Sequence, residues 1–503
     1  MAEADLAFAT AAVAQRPPGL SLRLTELRLP LDHPQAALHA AAAARLGLPE
    51  AAIVTLHVFR RGYDARKRSA IELVYTVDLA LAAGHDPRAV LEAHGGDPHV
   101  KPAPDLRYQP VGAMPQGFWS GAARPRPVVV GFGPCGLFAA LILAQMGLQP
   151  IVLERGRAVR ERTRDTWGLW RRSELNAESN VQFGEGGAGT FSDGKLWSQI
   201  SDPRHLTRKV LDEFVKAGAP TEILFVSKPH IGTFRLVSMI EKMRAEIVAL
   251  GGEIRFEHRL LDLRLERPAA AARGRHDSRR DWVLRGLRVA TPQAPGGVEM
   301  DCEQLVLAPG HSARDTFAML VDRGVALEAK PFSIGFRIEH PQSVIDRARF
   351  GTSAGHPLLG AADYKLVHHA PNGRSVYSFC MCPGGTVVAA TSEPERVVTN
   401  GMSQYSRNER NANAGIVVGI SPQDYRQDGR DRAPSDPVSP LDGVAFQRFY
   451  ESRAYRLGEG GYRAPAQRVE DFLAGRASRA MGAVLPSYKP GVTPTDLVIA
   501  SVS

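Results

Sequence analysis

Cysteine is scarce in this chain, with four residues among 503. So few thiols cannot supply the disulfide framework of a small secreted domain. Long apolar runs are missing too, since none reaches the roughly 18 residues that a membrane-spanning helix needs. Glu3 and Asp5 precede a short alanine-rich stretch at the N-terminus, where a signal peptide would carry basic residues. We therefore expect a cytoplasmic protein that does not bind membranes.

Several catalytic motifs are also missing. The sequence has no G-x-S-x-G with plausible triad partners, no H-E-x-x-H, and no cysteine and histidine cluster at zinc-binding spacing. These absences argue against serine hydrolases and zinc enzymes of the familiar types, and no metal site is predicted.

The chain is moderately basic, because 62 Lys and Arg residues against 53 Asp and Glu residues give a net charge of +9. Such an excess can indicate a nucleic-acid partner. Here, however, the arginines are scattered over 160–172 and 273–288, a pattern typical of solvated surface. Nucleic acid is therefore not the favoured partner. At this length, two to four domains are expected.

The most informative segment is a predicted strand, turn, helix and second strand. The β-branched run 126–130 suits a buried parallel strand, and 137–146 carries apolar residues at helical spacing. Between them the glycines follow G-x-G-x-x-G, the spacing that brings a pyrophosphate to a helix N-terminus. An acidic residue lies 23 positions after the first glycine, at the end of the second strand, where it can accept from ribose hydroxyls. The predicted dinucleotide-binding residues are Gly131, Gly133, Pro134, Gly136, Glu154 and Arg155. A βαβ unit without a ligand is the alternative.

A second glycine-rich run, 180–195, has five glycines within eleven residues and cannot form a regular element. Such a loop offers backbone donors to a flat ligand, because no side chain projects between the two. The interleaved Phe183 and Phe191 favour a packed loop over a mobile one, which is the alternative. Its predicted cofactor contacts are Gly187, Ala188, Gly189, Ser192, Asp193 and Lys195.

These motifs together resemble one family, the bacterial uncharacterised FAD-dependent dehydrogenases, often labelled NAD(P)/FAD-dependent oxidoreductases. The resemblance covers essentially the whole chain. Its most specific parts are the glycine-rich run and the segment Cys380-Met-Cys-Pro-Gly-Gly385. The other segments that carry it are 131–154, 228–233, 400–407 and 486–492.

The resemblance implies FAD held in a glutathione-reductase-like domain into which a substrate domain is inserted. It supplies no substrate. Family members continue beyond the segment 486–492 into a further glycine-rich segment that forms a second FAD contact, whereas this chain stops at Ser503. We therefore expect a truncated chain with weakened FAD binding.

Lys228 and His230 are the predicted catalytic residues. Pro229 stiffens their segment and Gly232 ends it, which suits a loop that faces a ligand. A histidine titrates near neutrality, and a lysine can stabilise the negative charge of a reduced flavin. The alternative is a surface loop before a helix that Thr233 caps.

The cysteines are assigned mostly to packing. Cys380 and Cys382 form a C-x-C pair that lacks the C-x-x-C or longer spacing of dithiol flavoenzymes, so a buried structural role is favoured over disulfide exchange. Cys135 is interpreted as a small packing residue and Cys302 as a strand residue.

The predicted fold class is α/β, with a Rossmann-like FAD-binding domain, an inserted β-rich substrate domain and a small α+β module at the N-terminus. Strands are expected at 22–29, 53–60 and 71–79 around a helix at 32–46, an order that suits a ferredoxin-like module. A mobile hairpin loop is expected at 268–281. The predicted domains are 1–110 for the module, 111–126 for a linker, 127–330 for FAD binding, and 331–503 for the β-rich substrate domain with an incomplete return to the FAD domain.

The predicted function is that of an FAD-dependent oxidoreductase, which transfers a hydride or electrons between a small-molecule substrate or electron acceptor and the flavin. NAD(P)H is a candidate reductant. It would have to bind without a second Rossmann unit, because the sequence holds no second clean G-x-G-x-x-G. The alternative is a nucleotide-fold protein that binds RNA or another anionic partner, with the basic run 60–68 as a contact and the flavin structural or lost.

Overall fold

The computed structural model describes residues 21–115, 117–119, 124–198, 200–267, 282–427 and 438–497. The hairpin loop predicted at 268–281 lies outside these ranges. Within them, no helix combines the length and the apolar character needed to cross a membrane.

A small antiparallel sheet forms the N-terminal module. Its strands pair in the order β2-β3-β1-β4, and a helix lies between β1 and β2 and another between β3 and β4. This is the element order of the ferredoxin-like split βαβ unit. Alternate residues such as Leu22 and Leu24 are buried under the first helix because successive strand side chains point to opposite faces. The elements are β1 Leu22–Pro30, α1 Ala36–Leu46, β2 Ile53–Asp64, β3 Glu72–Leu81, α2 Pro87–Ala93 and β4 Val100–Pro102.

A four-stranded parallel sheet forms the middle of the molecule. Its order is β11-β5-β6-β7, and helices α3 and α6 pack together on it. Val129 and Val152 are completely buried, which explains why these strands are short continuous apolar runs. The elements are β5 Val128–Val130, α3 Pro134–Gln145, β6 Ile151–Glu154, α4 Val159–Arg172, α5 Leu206–Lys216, α6 Thr233–Ala249, β7 Glu253–Phe256 and β11 Leu305–Leu307.

Three antiparallel strands connect β7 to β11. They pair in sequence order, and helix α7 follows the last parallel strand. The bounds are β8 Arg259–Glu266, β9 Val283–Thr291, β10 Ala294–Asp301 and α7 Arg314–Asp322. The predicted α/β class with a Rossmann-like βαβ unit is confirmed.

The C-terminal part is rich in strands. An antiparallel sheet has the order β12-β17-β14-β13, and β15 and β16 form a separate pair. The bounds are β12 Phe332–Pro341, α8 Gln342–Phe350, β13 Val367–His369, β14 Ser375–Cys382, β15 Gly385–Ala389, β16 Thr399–Ser403, β17 Asn411–Ile420, α9 Asp442–Leu457, β18 Ala464–Ala466, α10 Val469–Leu473 and β19 Val492–Pro494.

Two predicted boundaries differ from the structure for identifiable reasons. Helix α3 begins at Pro134 rather than at residue 137, because proline is well suited to the first helical position. Strand β2 continues to Asp64 instead of ending at residue 60. Arg60 and Arg61 therefore lie in a paired strand and not at a hairpin tip.

Candidate functional site

A cleft of about 440 Å³ lies at the carboxyl ends of the parallel strands. Open α/β sheets bind their ligands at this edge. Its walls include the turn from β5 into α3, the end of β6, the glycine-rich loop, residues 258–260, and the segment Leu307–Ala313 that follows β11. The segment after β11 thus brings the chain back to the cleft.

Two of the turn glycines are required by the fold itself. Gly131 has φ +93°, and a Cβ there would lie 2.2 Å from the carbonyl oxygen of Ala308. A Cβ on Gly136 would lie 1.8 Å from the carbonyl oxygen of Gly131. Neither position accepts a larger residue without moving backbone. Gly136 thus sets the packing of the turn and does not itself line the cleft.

Gly133 is different because a Cβ there would clash with no protein atom. A Cβ there would meet Gly187 Cα at 3.5 Å, an ordinary contact. Gly133 is the N-cap of α3, and no side chain caps this helix. The first-turn N–H groups and the positive end of the helix dipole are therefore available to an anion in the cleft, which Gly133, Pro134 and Cys135 line.

Glu154 joins the turn to the glycine-rich loop. Its carboxylate, 4% exposed, accepts from the backbone N–H groups of Phe132 (2.7 Å), Gly156 (2.9 Å) and Gly184 (2.9 Å). One oxygen accepts two of these bonds and the other accepts one, which leaves acceptor capacity for a ligand hydroxyl. Glu154 lines the cleft as the sequence predicts.

Arg155 also lines the cleft, but its charge is already paired. It donates to Glu178 at 2.8 Å and to Asp315 at 2.9 Å, and its guanidinium lies 4.1 Å from the centre of the Phe183 ring. This arginine therefore connects the end of β6 to helix α7 and to the glycine-rich loop.

Arg162 shapes the glycine-rich loop, and the sequence analysis missed it. Assigning the arginines of 160–172 to solvated surface is wrong for this residue, whose side chain is completely buried. Burial lowers its pKa to about 10, so it stays protonated at neutral pH. Its guanidinium donates its shortest hydrogen bonds to the carbonyl oxygens of Asn180 (2.7 Å), Val181 (2.8 Å), Glu185 (2.6 Å) and Gly187 (2.9 Å).

A signal for Arg162 does exist in the sequence. Val159, Arg162, Thr166 and Leu169 follow the spacing of one helix face, and all four are buried in α4. An arginine on an otherwise buried stripe indicates a charge with partners inside the protein.

The glycine-rich loop divides between two places. Its first half, with Gly184 and Gly187 to Gly189, lies on the cleft wall as predicted. Its second half leaves the cleft. Asp193 is buried and forms ion pairs with Arg407 and, at 3.0 Å, with Lys195, and these cations lower its pKa.

The other two polar residues of the second half do not line the cleft either. Ser192 donates to the carbonyl oxygen of Gly189 at 2.7 Å, and Lys195 donates to that of Met381 in the β-rich part. Asp193 and Lys195 therefore connect the loop to the C-terminal half, whereas the Ser192 side chain bonds within the loop.

Lys228 and His230, the predicted catalytic pair, do not line the cleft. Lys228 is half-exposed and pairs with Asp363 at 2.5 Å. His230 stacks on Tyr405 with ring centres 5.4 Å apart, and its Nε2 lies 3.0 Å from the Tyr405 carbonyl oxygen. Burial and the nearby Arg407 lower the pKa of His230 to about 4, which keeps the ring neutral at pH 7.

Thr233 does not cap helix α6, contrary to the alternative considered above. Gly232 holds the N-cap position, and Thr233 is the first helical residue. The Thr233 hydroxyl instead donates to the carbonyl oxygen of Ser192 at 2.7 Å. The helix start is thus fixed to the glycine-rich loop.

Metal-binding groups are not found in the described part of the chain, where no three His, Cys, Asp or Glu side chains gather in a way that could hold an ion. The cleft offers backbone N–H groups, one carboxylate and apolar walls, a set that suits a nucleotide-type ligand.

The fold and the cleft define a protein of the Rossmann-like nucleotide-binding class. Comparison with known proteins adds that residues 331–500 match the family described as "FAD-dependent protein, C-terminal domain-like". Residues 21–80 match a domain of unknown function. An uncharacterized protein from Clostridium beijerinckii is 41% identical over 482 residues, which cover 94% of this chain and 81% of that protein. The chain belongs to the same family as this clostridial protein.

Solved structures with similar folds are distant in sequence. The FAD-complexed glycerol-3-phosphate dehydrogenase from Bacillus halodurans is 12% identical, with a TM-score of 0.28, over 67% of this chain and 54% of that one. THI4 from Thermovibrio ammonificans is 16% identical, with a TM-score of 0.25, over 40% of this chain and 64% of that one. The chain thus spans less than two thirds of each, and similarities at this level transfer no function. The expectation of a truncated chain with weakened FAD binding stays a prediction.

Proposed function

We propose that this protein is an FAD-dependent oxidoreductase that binds the ADP half of FAD in the cleft and acts on a small-molecule substrate. The observation that carries the proposal is the uncapped N-terminus of α3, which Gly133, Pro134 and Cys135 present to the cleft. The family match of residues 331–500 supports FAD as the dinucleotide.

The residues of the cleft fit this cofactor. The first-turn N–H groups of α3 would bind the pyrophosphate, for which a helix N-terminus is a favourable environment. Glu154 keeps acceptor capacity for a ribose hydroxyl, while its three backbone bonds hold the carboxylate in place. Bound FAD would supply the hydride or electron chemistry that amino-acid side chains lack.

The chain's own contribution is to shape and enclose this binding site. Arg162 fixes the loop that carries Gly184 and Gly187, so the wall opposite α3 is formed before a ligand arrives. We propose NAD(P)H as the reductant, and the substrate stays open.

The test is to replace Gly133 with alanine and to measure FAD binding. Gly133→Ala should fold normally because the new Cβ makes an ordinary contact. It should weaken FAD binding by about a hundredfold, the equivalent of two lost charge-assisted hydrogen bonds. Flavin retained after desalting, together with fluorescence titration of the apoprotein, gives the affinity.

Gly96→Ala is the matched control, since no atom lies within 4 Å of a Cβ at that surface position. It should change neither FAD affinity nor unfolding temperature. Equal FAD affinity in Gly133→Ala and the parent protein would contradict the proposed site. A parent protein that takes up no FAD on reconstitution would contradict the function itself.

A further inference from the structure

The backbone at Cys380 has an unusual shape. Strand β14 pairs with β17 through Phe379 opposite Gly415 and through Cys382 opposite Asn413, so β14 carries one extra residue between these pairs. Cys380 has φ +45°, a left-handed backbone conformation that non-glycine residues seldom adopt. Bulges of this kind redirect a side chain and occur often beside active sites.

The bulge falls within the C-x-C pair of β14. Residues i and i+2 of an extended strand point to one face about 6.6–6.8 Å apart, near the upper limit of about 6.8 Å for the Cα atoms of a disulfide. The bulge departs from this extended spacing because it bends the strand at the pair. The Cys382 thiol donates to the Cys380 carbonyl oxygen at 3.4 Å. The neighbouring Cys382 side chain, with Lys195 and Arg337, lowers the pKa of Cys380 to about 5.

Positive side chains from two other segments surround the pair. Lys195 donates to the carbonyl oxygen of Met381, the residue between the cysteines. Arg337 of β12 donates to the Cys380 carbonyl oxygen at 3.3 Å. Both cations favour the thiolate over the thiol. Cys380 is half-buried and Cys382 is completely buried, as suits an attacking thiol and a protected resolving thiol.

Other charged groups nearby are compensated. Asp193 pairs with both Lys195 and Arg407, and His230 is neutral because of burial. The field at the cysteines therefore comes mainly from Lys195 and Arg337.

The pair is attached to the loop that forms the cleft wall. Lys195 belongs to the same glycine-rich loop as Gly189. Asn400 donates to the carbonyl oxygen of Phe191 at 3.4 Å and accepts from Arg337 at 3.3 Å. A continuous set of contacts thus runs from the glycine-rich loop to the cysteines.

We propose that Cys380 and Cys382 form a redox-active dithiol that exchanges two electrons with FAD bound in the cleft. This inference rests on the proposed function. In the oxidative direction an S–S bond forms between the two sulfurs, and the Cys382 proton is released. Two electrons and two protons, one from Cys382 and one from solvent, convert FAD to FADH2. The reverse step reduces the disulfide.

The dithiol can be tested without any flavin. The apoprotein is equilibrated in glutathione redox buffers, its thiols are trapped with N-ethylmaleimide under denaturing conditions, and peptides are identified by mass spectrometry. Cys380 and Cys382 should lose their label together as an intramolecular disulfide, while Cys302 stays labelled. The proposal is overturned if Cys380 and Cys382 keep the N-ethylmaleimide label in every buffer, or if they carry only glutathione adducts. Cys382→Ser should convert the disulfide into a glutathione adduct on Cys380.

A pH profile separates a reactive thiol from a structural one. The rate of Cys380 alkylation by iodoacetamide should reach half its maximum at a higher pH in Lys195→Gln than in the parent protein. Lys216→Gln, a surface variant on α5, should leave the profile unchanged. An identical profile in all three proteins would contradict the electrostatic activation of Cys380.

The flavin step is tested by mixing the prereduced protein with FAD under anaerobic conditions. Loss of the oxidised-flavin absorbance should match formation of one disulfide per FAD, and Cys380→Ser should show neither change. If FAD does not bind, the proposed function fails, whereas the glutathione experiment still decides on the dithiol. If FAD binds and the disulfide forms in redox buffer but flavin absorbance persists, the electron exchange is wrong.

Discussion

At the residue scale, the role of Arg162 leads to a stability prediction. Arg162→Met keeps the length of the side chain but leaves several buried carbonyl groups without a donor. Removing one side of a buried charged network costs about 3–5 kcal/mol, so the free energy of unfolding should fall by about this amount. Urea unfolding followed by circular dichroism measures the change.

Arg160 on the same helix provides the control for this experiment. Its side chain is exposed and pairs with Glu241, and exposed pairs contribute little to stability. Arg160→Met should leave the urea midpoint nearly unchanged. If both variants unfold at the same urea concentration, Arg162 does not hold the loop as described.

His230 gives a prediction about pH. Its pKa is about 4 in the folded protein and near 6.5 when unfolded, so below pH 6.5 the unfolded chain binds the proton more readily. Stability should therefore fall as pH drops from about 6.5 to 4 and become independent of this group below that range. The shift corresponds to at most about 3 kcal/mol.

The His230→Gln variant isolates this contribution. The difference in unfolding free energy between pH 7 and pH 5 should be smaller in the variant than in the parent protein. The exposed His368 serves for comparison, and His368→Gln should keep the parental pH dependence. A parental pH dependence in His230→Gln would show that its ring does not titrate at a lowered pKa.

At the element scale, the sequence predicts local patterns well and distant contacts poorly. The unit from β5 to β6 was predicted because strand, glycine turn, helix and acid all lie within 30 residues. The bulge at Cys380 was not predicted, since it depends on the pairing of β14 with β17. The position of Lys195 was missed for the same reason: its partner, the Met381 carbonyl, lies 186 residues away.

Helix α6 shows how one contact connects two elements. The Thr233 hydroxyl donates to the Ser192 carbonyl oxygen in a buried setting, so Thr233→Val should leave that acceptor unsatisfied. We expect the free energy of unfolding to fall by about 1–3 kcal/mol. Thermal unfolding measures the loss. Ser238→Ala, which removes an exposed hydroxyl from the same helix, is the control and should have little effect on stability. Equal losses in the two variants would assign the effect to the helix and not to its contact with the loop.

At the scale of the whole molecule, a charged network connects the parallel-sheet region to the β-rich half. Arg314 of α7 donates to Glu393 at 2.7 Å and to Glu451 of α9 at 2.7 Å. Arg448 and Arg396 also pair with Glu393. Because α7 begins next to the cleft segment Leu307–Ala313, this network holds one wall of the cleft against the C-terminal half.

Glu393→Gln tests whether this network holds the two parts together. Its cationic partners lower the pKa of Glu393 to about 2, below the value of 4.5 for an unfolded chain. The carboxylate therefore stabilises the fold above pH 4.5, and this stabilisation is lost as pH falls through 4.5 towards 2. Glu393→Gln should lower the free energy of unfolding at pH 7 by about 2 kcal/mol, because three arginines lose a shared partner. This value lies between those for exposed and for fully buried pairs, since the carboxylate is only partly buried. The deficit should shrink at pH 3, where the parent glutamate becomes partly protonated.

Glu92→Gln, at an exposed position on α2, should show no such pH-dependent deficit in the same denaturant titrations. A constant deficit at both pH values would mean that Glu393 acts through packing rather than through its charge.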